Sequence, residues 1–150
     1  MKNIISKPHL FFFGLIPIIL IVGYIYKDES IDINISYAYY LISYKQLSYF
    51  FAVFFGLIGL NYFSLYWAKR PTKKGLTIVH MVLQCLSLLL FFTKNNWNWL
   101  DQEVYPEGIN ISADYSNLVL IIAFFIFLIS AFVHLINFFI SLLIKSKLPE

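Results

Sequence analysis

The chain has 150 residues, 60% of them hydrophobic and only 13% charged, with a mean hydropathy of +0.74 and a formal net charge of +3. A soluble domain averages about 45–50% apolar and about 25% charged residues, so this composition excludes an ordinary soluble fold and points to a bilayer as the solvent. The excess of cations is segregated along the chain rather than gathered into a groove, which argues against nucleic-acid binding, and one cysteine, Cys85, excludes an intrachain disulfide framework.

The first apolar run is Leu10 to Tyr26, uncharged and containing Pro17. At 1.5 Å per residue it reaches about 25 Å, enough to cross the hydrocarbon core. Lys2 and Lys7 precede it, as in a signal peptide, but it lacks a small-residue cleavage site and ends in Tyr24-Ile25-Tyr26-Lys27. An uncleaved helix over 10–26 is the expectation, bent at Pro17. The second run, Leu47 to Trp67, is preceded by the tyrosine-rich stretch Tyr37 to Gln46, which reads as an interfacial extension of the same helix, giving 37–67. The third helix is expected over 75–93, interrupted by His80, Gln84 and Ser87. Cys85 lies in this run and reads as a buried, inert thiol. An extramembrane loop, 94–117, carries Trp97, Trp99, Tyr105, Pro106 and Tyr115 and is expected to pack on the membrane surface. The fourth helix, 118–144, is longer than the hydrocarbon core and must tilt or protrude. Its polar residues Ser130, His134, Asn137 and Ser141 follow i, i+4, i+7, i+11, one stripe on the side turned toward the other helices.

Charge sets the orientation. Lys2, Lys7, Lys69, Arg70, Lys73, Lys74, Lys145 and Lys147 fall at the termini and in the second loop. Asp28, Glu29, Asp32, Asp101, Glu103, Glu107 and Asp114 fall in the other two loops, together with Lys27 and Lys94. The positive-inside rule then places both termini and the second loop in the cytoplasm. The expectation is an all-α, four-helix transmembrane bundle, N-in/C-in, forming one domain over 1–150 in the cell inner membrane. The sequons at Asn34 and Asn110 fall outside and read as chance matches in an Asn-rich chain.

The stretch Asp32-Ile-Asn-Ile-Ser-Tyr-Ala-Tyr-Tyr-Leu-Ile-Ser-Tyr-Lys-Gln46 resembles the segment L-D-I-x-x-H-D-T-Y-[FY]-V-[VI]-x-H-x-H at the outer start of the tenth helix of haem-copper oxidase large subunits (cytochrome c oxidase subunit I). Asp32, Ile33, Tyr39 and Tyr40 match, with Leu41 and Ile42 conservative. The run from Trp67-Ala68-Lys69 through Leu76-Thr77-Ile78-Val79-His80 to Phe91-Phe92-Thr93 is similar to the next helix of that family, and Ala113-Asp114-Tyr115-Ser116 to its D-Y segment. The resemblance implies the same topology but not the chemistry. The two histidines that bind the haem irons in that family fall on Tyr44 and Gln46, the outer H-D pair falls on Ser36 and Tyr37, and the copper ligands belong to helices absent from this sequence. Oxygen reduction by this chain alone is excluded on ligand count. The expectation is a non-enzymatic, degenerate relative that packs against other membrane subunits as an accessory, assembly or scaffold element of a respiratory complex, with no cofactor.

An alternative gives His80 and His134, both ionisable and intramembrane, to a b-type haem in a redox or sensor module; the plainer account is an interhelical hydrogen bond for each, with Gln84, Asn137 or Ser130 as partner. A further alternative is an oligomeric small transporter, although the spans carry no acidic residue to couple ions. His9 reads as solvated beside Lys7, and Lys45 as snorkelling to the outer interface. Lys69, Arg70, Lys73 and Lys74 form a basic loop able to hold anionic lipid headgroups. No C-x-x-C, H-E-x-x-H or P-loop occurs.

Overall fold

A computed structural model describes residues 7–35, 38–93 and 115–144. Among these the elements run α1 (Pro8–Ile25), β1 (Ser30–Ile35), β2 (Ala38–Ser43), α2 (Tyr44–Trp67), α3 (Lys74–Phe92) and α4 (Tyr115–Leu143). The fold is helical, and each of the four helices is long and apolar enough to cross a membrane. No more than 39% of any span is buried; side chains such as Ile18, Val53, Leu89 and Phe132 point outward. An aqueous protein would not leave this surface open, whereas lipid accepts it. The four helices thus fit a multi-pass membrane protein.

One expectation fails. Residues 38–43 are not the start of the second helix but the second strand of an antiparallel hairpin, with register from Ser30↔Ser43 to Ile35↔Ala38. The physical reason lies in the alternation Ile31-Asp32-Ile33-Asn34-Ile35 and the aromatic and β-branched content of Tyr39 to Ile42. The helix starts only where its backbone can be capped. Ser43 Oγ accepts from the Gln46 N–H at 3.2 Å, and Gln46 Oε1 accepts from the Ser43 N–H at 3.3 Å, a reciprocal capping box. An isolated hairpin is marginal in water. This one is tied to the helices through Tyr44 N–H to the Glu29 carbonyl, 3.2 Å, and by Ile31, which is buried.

By contact the chain divides into two units: Met1–Ile78 with His134–Glu150, and Val79–Val133. In the first, α1 and α2 run antiparallel. His9 meets Phe63 and Tyr66, Phe12 stacks on Tyr62 at 5.6 Å, and Tyr26 meets Tyr44 at the other end. Small residues allow the approach: a Cβ at Gly23 would stand 2.3 Å from Ser48 Cβ, and one at Gly59 2.6 Å from the Phe13 ring. In the second unit, α3 and α4 run antiparallel, joined by Ser87 Oγ donating to the Ala123 carbonyl at 2.9 Å and by Ser130 near His80 and Gln84. Around these sit Leu88, Leu120, Ala123 and Phe127. Residues 115–117, expected in the loop, instead open α4; the surface packing expected for the rest of that loop, 94–114, the sequon at Asn110 and the charged terminal segments 1–6 and 145–150 lie outside the described residues.

Candidate functional site

The candidate residues are assembled by helical period. Thr77, His80, Gln84 and Ser87 on α3 repeat at i, i+3, i+7, i+10, and all four are fully buried. Ser130, His134, Asn137 and Ser141 on α4 are buried as well, which is the side on which the stripe belongs if it faces protein. Cys85, next to Gln84 but about 100° further round the helix, is exposed, so the buried thiol expected for it is corrected.

In the second unit, Ser130 Oγ lies 3.1 Å from the His80 carbonyl and 3.0 Å from Gln84 Oε1, and it bridges α4 to two turns of α3. The Gln84 Nε2 is buried and makes no hydrogen bond among the described residues. In the first unit, Asn137 Nδ2 donates to Thr77 Oγ1 at 2.9 Å, while its Oδ1 accepts from the Lys73 N–H at 3.1 Å just ahead of α3. The Tyr62 hydroxyl joins Asn137 and Thr77. His134 Nε2 lies 3.2 Å from Asn61 Nδ2, and its ring packs edge-on against Tyr62 at 4.9 Å and near Phe138. Asn61 was not among the partners expected from the sequence. Its only signal there is an amide within an otherwise apolar helix, and nothing local says which helix it meets.

Of the two residues on which the oxidase resemblance would put haem ligands, Tyr44 is buried beside Tyr26 and Gln46 closes the capping box. Of the two histidines of the alternative reading, His80 belongs to the second unit and His134 to the first. An iron on His134 Nε2 would have to displace Asn61. Among the described residues no three His, Cys, Asp or Glu side chains cluster in a way that could hold a metal ion.

The basic loop is built onto the first unit. α2 ends in a Schellman motif: the Lys69 N–H bonds the Tyr66 carbonyl at 3.1 Å and the Arg70 N–H the Leu65 carbonyl at 2.9 Å. Lys69 holds the left-handed position, φ 52°. The Arg70 guanidinium donates to the Leu142 carbonyl at the C-terminal end of α4, where the helix dipole favours a cation. The start of α1, the end of α2, the loop and the end of α4 therefore gather at one end of the unit. A cleft of about 510 Å³ opens there. Tyr62, Tyr66 and Trp67 of α2 form one wall, and Lys69 to Thr72 of the loop, with Pro8, form the others. Lys69, Lys73 and Lys74 are exposed. His9, expected to be solvated, is instead buried, its ring 5.0 Å from that of Tyr66, with Lys7 Nζ 6.0 Å from the same tyrosine ring. Aromatic neighbours more than fifty residues away on α2 draw it in. Lys45 is exposed in the first turn of α2, at the opposite end of the unit.

No family model, no curated protein and no solved structure matches the chain.

Proposed function

We propose that the chain is a non-catalytic multi-pass protein of the cell inner membrane, both termini cytoplasmic, that works by packing against other membrane subunits. One observation carries this reading: Ser130, His134 and Asn137, polar side chains inside the last span, fasten it to other helices. Ser130 ties α4 to α3, Asn137 ties α4 to Thr77 and Lys73, and His134 meets Asn61 of α2. Residues committed in this way hold a scaffold. Their hydrogen bonds would have to break before they could serve a substrate or a metal.

The segregation of cations to the termini and second loop supports the orientation. A respiratory complex as the assembly rests on the resemblance of residues 32–46, 67–93 and 113–116 to the oxidase large subunit. Partner binding through the outward faces would draw on packing, since replacing lipid by protein brings no hydrophobic gain. The test is purification of the full chain in mild detergent, with mass-spectrometric identification of co-purifying chains. Stoichiometric membrane subunits are expected; a lone monomer under conditions that keep known complexes intact would refute the reading. A visible spectrum of the same sample checks the haem alternative, for which no Soret band is expected.

A further inference from the structure

The geometry points to a phosphate-binding site at the basic cleft, occupied by the headgroup of an anionic glycerophospholipid. Four independent features converge there. The first is uncompensated charge. Lys7, Lys69, Arg70, Lys73 and Lys74 gather at this end, and the described segments forming it, 7–16, 58–78 and 134–144, contain no Asp or Glu.

The second is the start of α1. Pro8 lines the cleft, and the N-cap residue Lys7 gives no side-chain cap, so the positive end of the helix dipole lies at this end without a carboxylate. The third is depth. Trp67 is 78% exposed and Tyr66 is half-exposed, rings of the kind that sit at headgroup level, so an anion held here lies where lipid phosphates are.

The fourth is Lys69 itself. The C′ position of a Schellman motif is usually glycine, because a side chain there is sterically penalised. A lysine that served only to raise the charge of the loop could stand at any neighbouring position. At the left-handed position its stem leaves a fixed backbone at the cleft wall, beside Arg70, whose guanidinium is steadied by the Leu142 carbonyl. Arg70 supplies fork geometry for phosphate oxygens and Lys69 a point charge.

Lys69→Gly makes this testable without unfolding, since glycine suits the backbone there. The measurement is native mass spectrometry of the full chain in neutral detergent, titrated with phosphatidylglycerol or phosphatidylcholine. Wild type is expected to bind the first phosphatidylglycerol about a hundredfold more tightly than phosphatidylcholine, as for about three basic groups at about 1 kcal/mol each. Lys69→Gly should cut that preference about fivefold, in line with about 1 kcal/mol per basic residue. The control Lys27→Gln, on a lysine at the other end of α1, should leave it intact. Equal binding of the two lipids, or an unchanged preference in Lys69→Gly, would overturn the proposal. So would displacement of phosphatidylglycerol by inorganic phosphate that itself raises thermal stability, since the site would then belong to a soluble anion.

Discussion

Gly23→Ala tests the closest helix contact in the first unit, and its sign is decisive. A Cβ added at Gly23 would stand 2.1 Å from Ser48 Oγ, 2.3 Å from Ser48 Cβ and 3.3 Å from the Tyr44 carbonyl oxygen. Non-bonded carbons settle at about 3.5–4.0 Å, so α1 and α2 must part by more than about 1 Å locally. A gap of that size forfeits about a quarter to a half of each contact along the seam. The Ser48 side chain cannot swing aside freely, because its Oγ donates to the Lys45 carbonyl at 2.8 Å. Overpacking of this kind costs about 1–3 kcal/mol, and the backbone neighbour places Gly23 toward the upper end. Were the two helices apart here, the same change would stabilise the chain by about 1 kcal/mol, because alanine is the better helix former. Equilibrium unfolding in mixed micelles, with rising mole fraction of SDS, separates the two outcomes. Ser48→Gly in the same molecule opens room for the new methyl, so the double variant should recover at least about 1 kcal/mol of the loss beyond additivity. Stabilisation by Gly23→Ala alone, or strict additivity in the cycle, would refute the packing of α1 on α2.

Gly59→Ala should cost about 1 kcal/mol less than Gly23→Ala in the same assay, because its obstacle is the Phe13 ring, which can rotate away. Ser43→Ala removes one half of the capping box and should destabilise by about 1 kcal/mol, seen as faster amide exchange confined to the first turn of α2. Asn137→Leu loses the bonds to Thr77 and the Lys73 N–H. At about 0.6 kcal/mol for each intramembrane hydrogen bond, a loss of about 1 kcal/mol is expected, and Thr77→Ala added to it should cost little more.

The bilayer is the reason so much of the fold was legible. Long uncharged runs have one explanation when every backbone group must find its partner within the span, and all four helices follow from that. The stripe Ser130, His134, Asn137, Ser141 was legible from its period, and all four are buried. The same period on α3 puts Thr77, His80, Gln84 and Ser87 on one face and Cys85 off it, as its exposure shows. The hairpin was written in the sequence too, as Ile31 to Ile35 in strict alternation and a Ser43-x-x-Gln46 box announcing the helix start, but the tyrosine-rich stretch 37–46 has equally the character of an interfacial helix extension. What could not be read was pairing at long range. Nothing near His134 names Asn61, and nothing near His9 names Phe63 and Tyr66. Such pairs are fixed by how helices rotate about their axes, a property of whole faces rather than of any local pattern.

Under the proposed resemblance to the oxidase segment, Tyr44 and Gln46 stand where that family carries haem ligands, and their contacts bear on whether they are bare replacements. Had Tyr44 and Gln46 merely replaced ligands, they would be free of other work. Instead the Tyr44 side chain is 3% exposed, its ring 6.0 Å from that of Tyr26, and Gln46 returns a hydrogen bond to the residue that caps it. Tyr44→His gives up the larger ring in a packed site, and Gln46→His gives up the reciprocal cap, so restoring both histidines should loosen the start of α2. The expected result for the Tyr44→His/Gln46→His double variant, expressed with added haem, is lower thermal stability and no Soret band. A band at one haem per chain, with stability kept, would mean that the helix start can serve a ligand pair after all, and that these two residues are substitutes rather than structural parts.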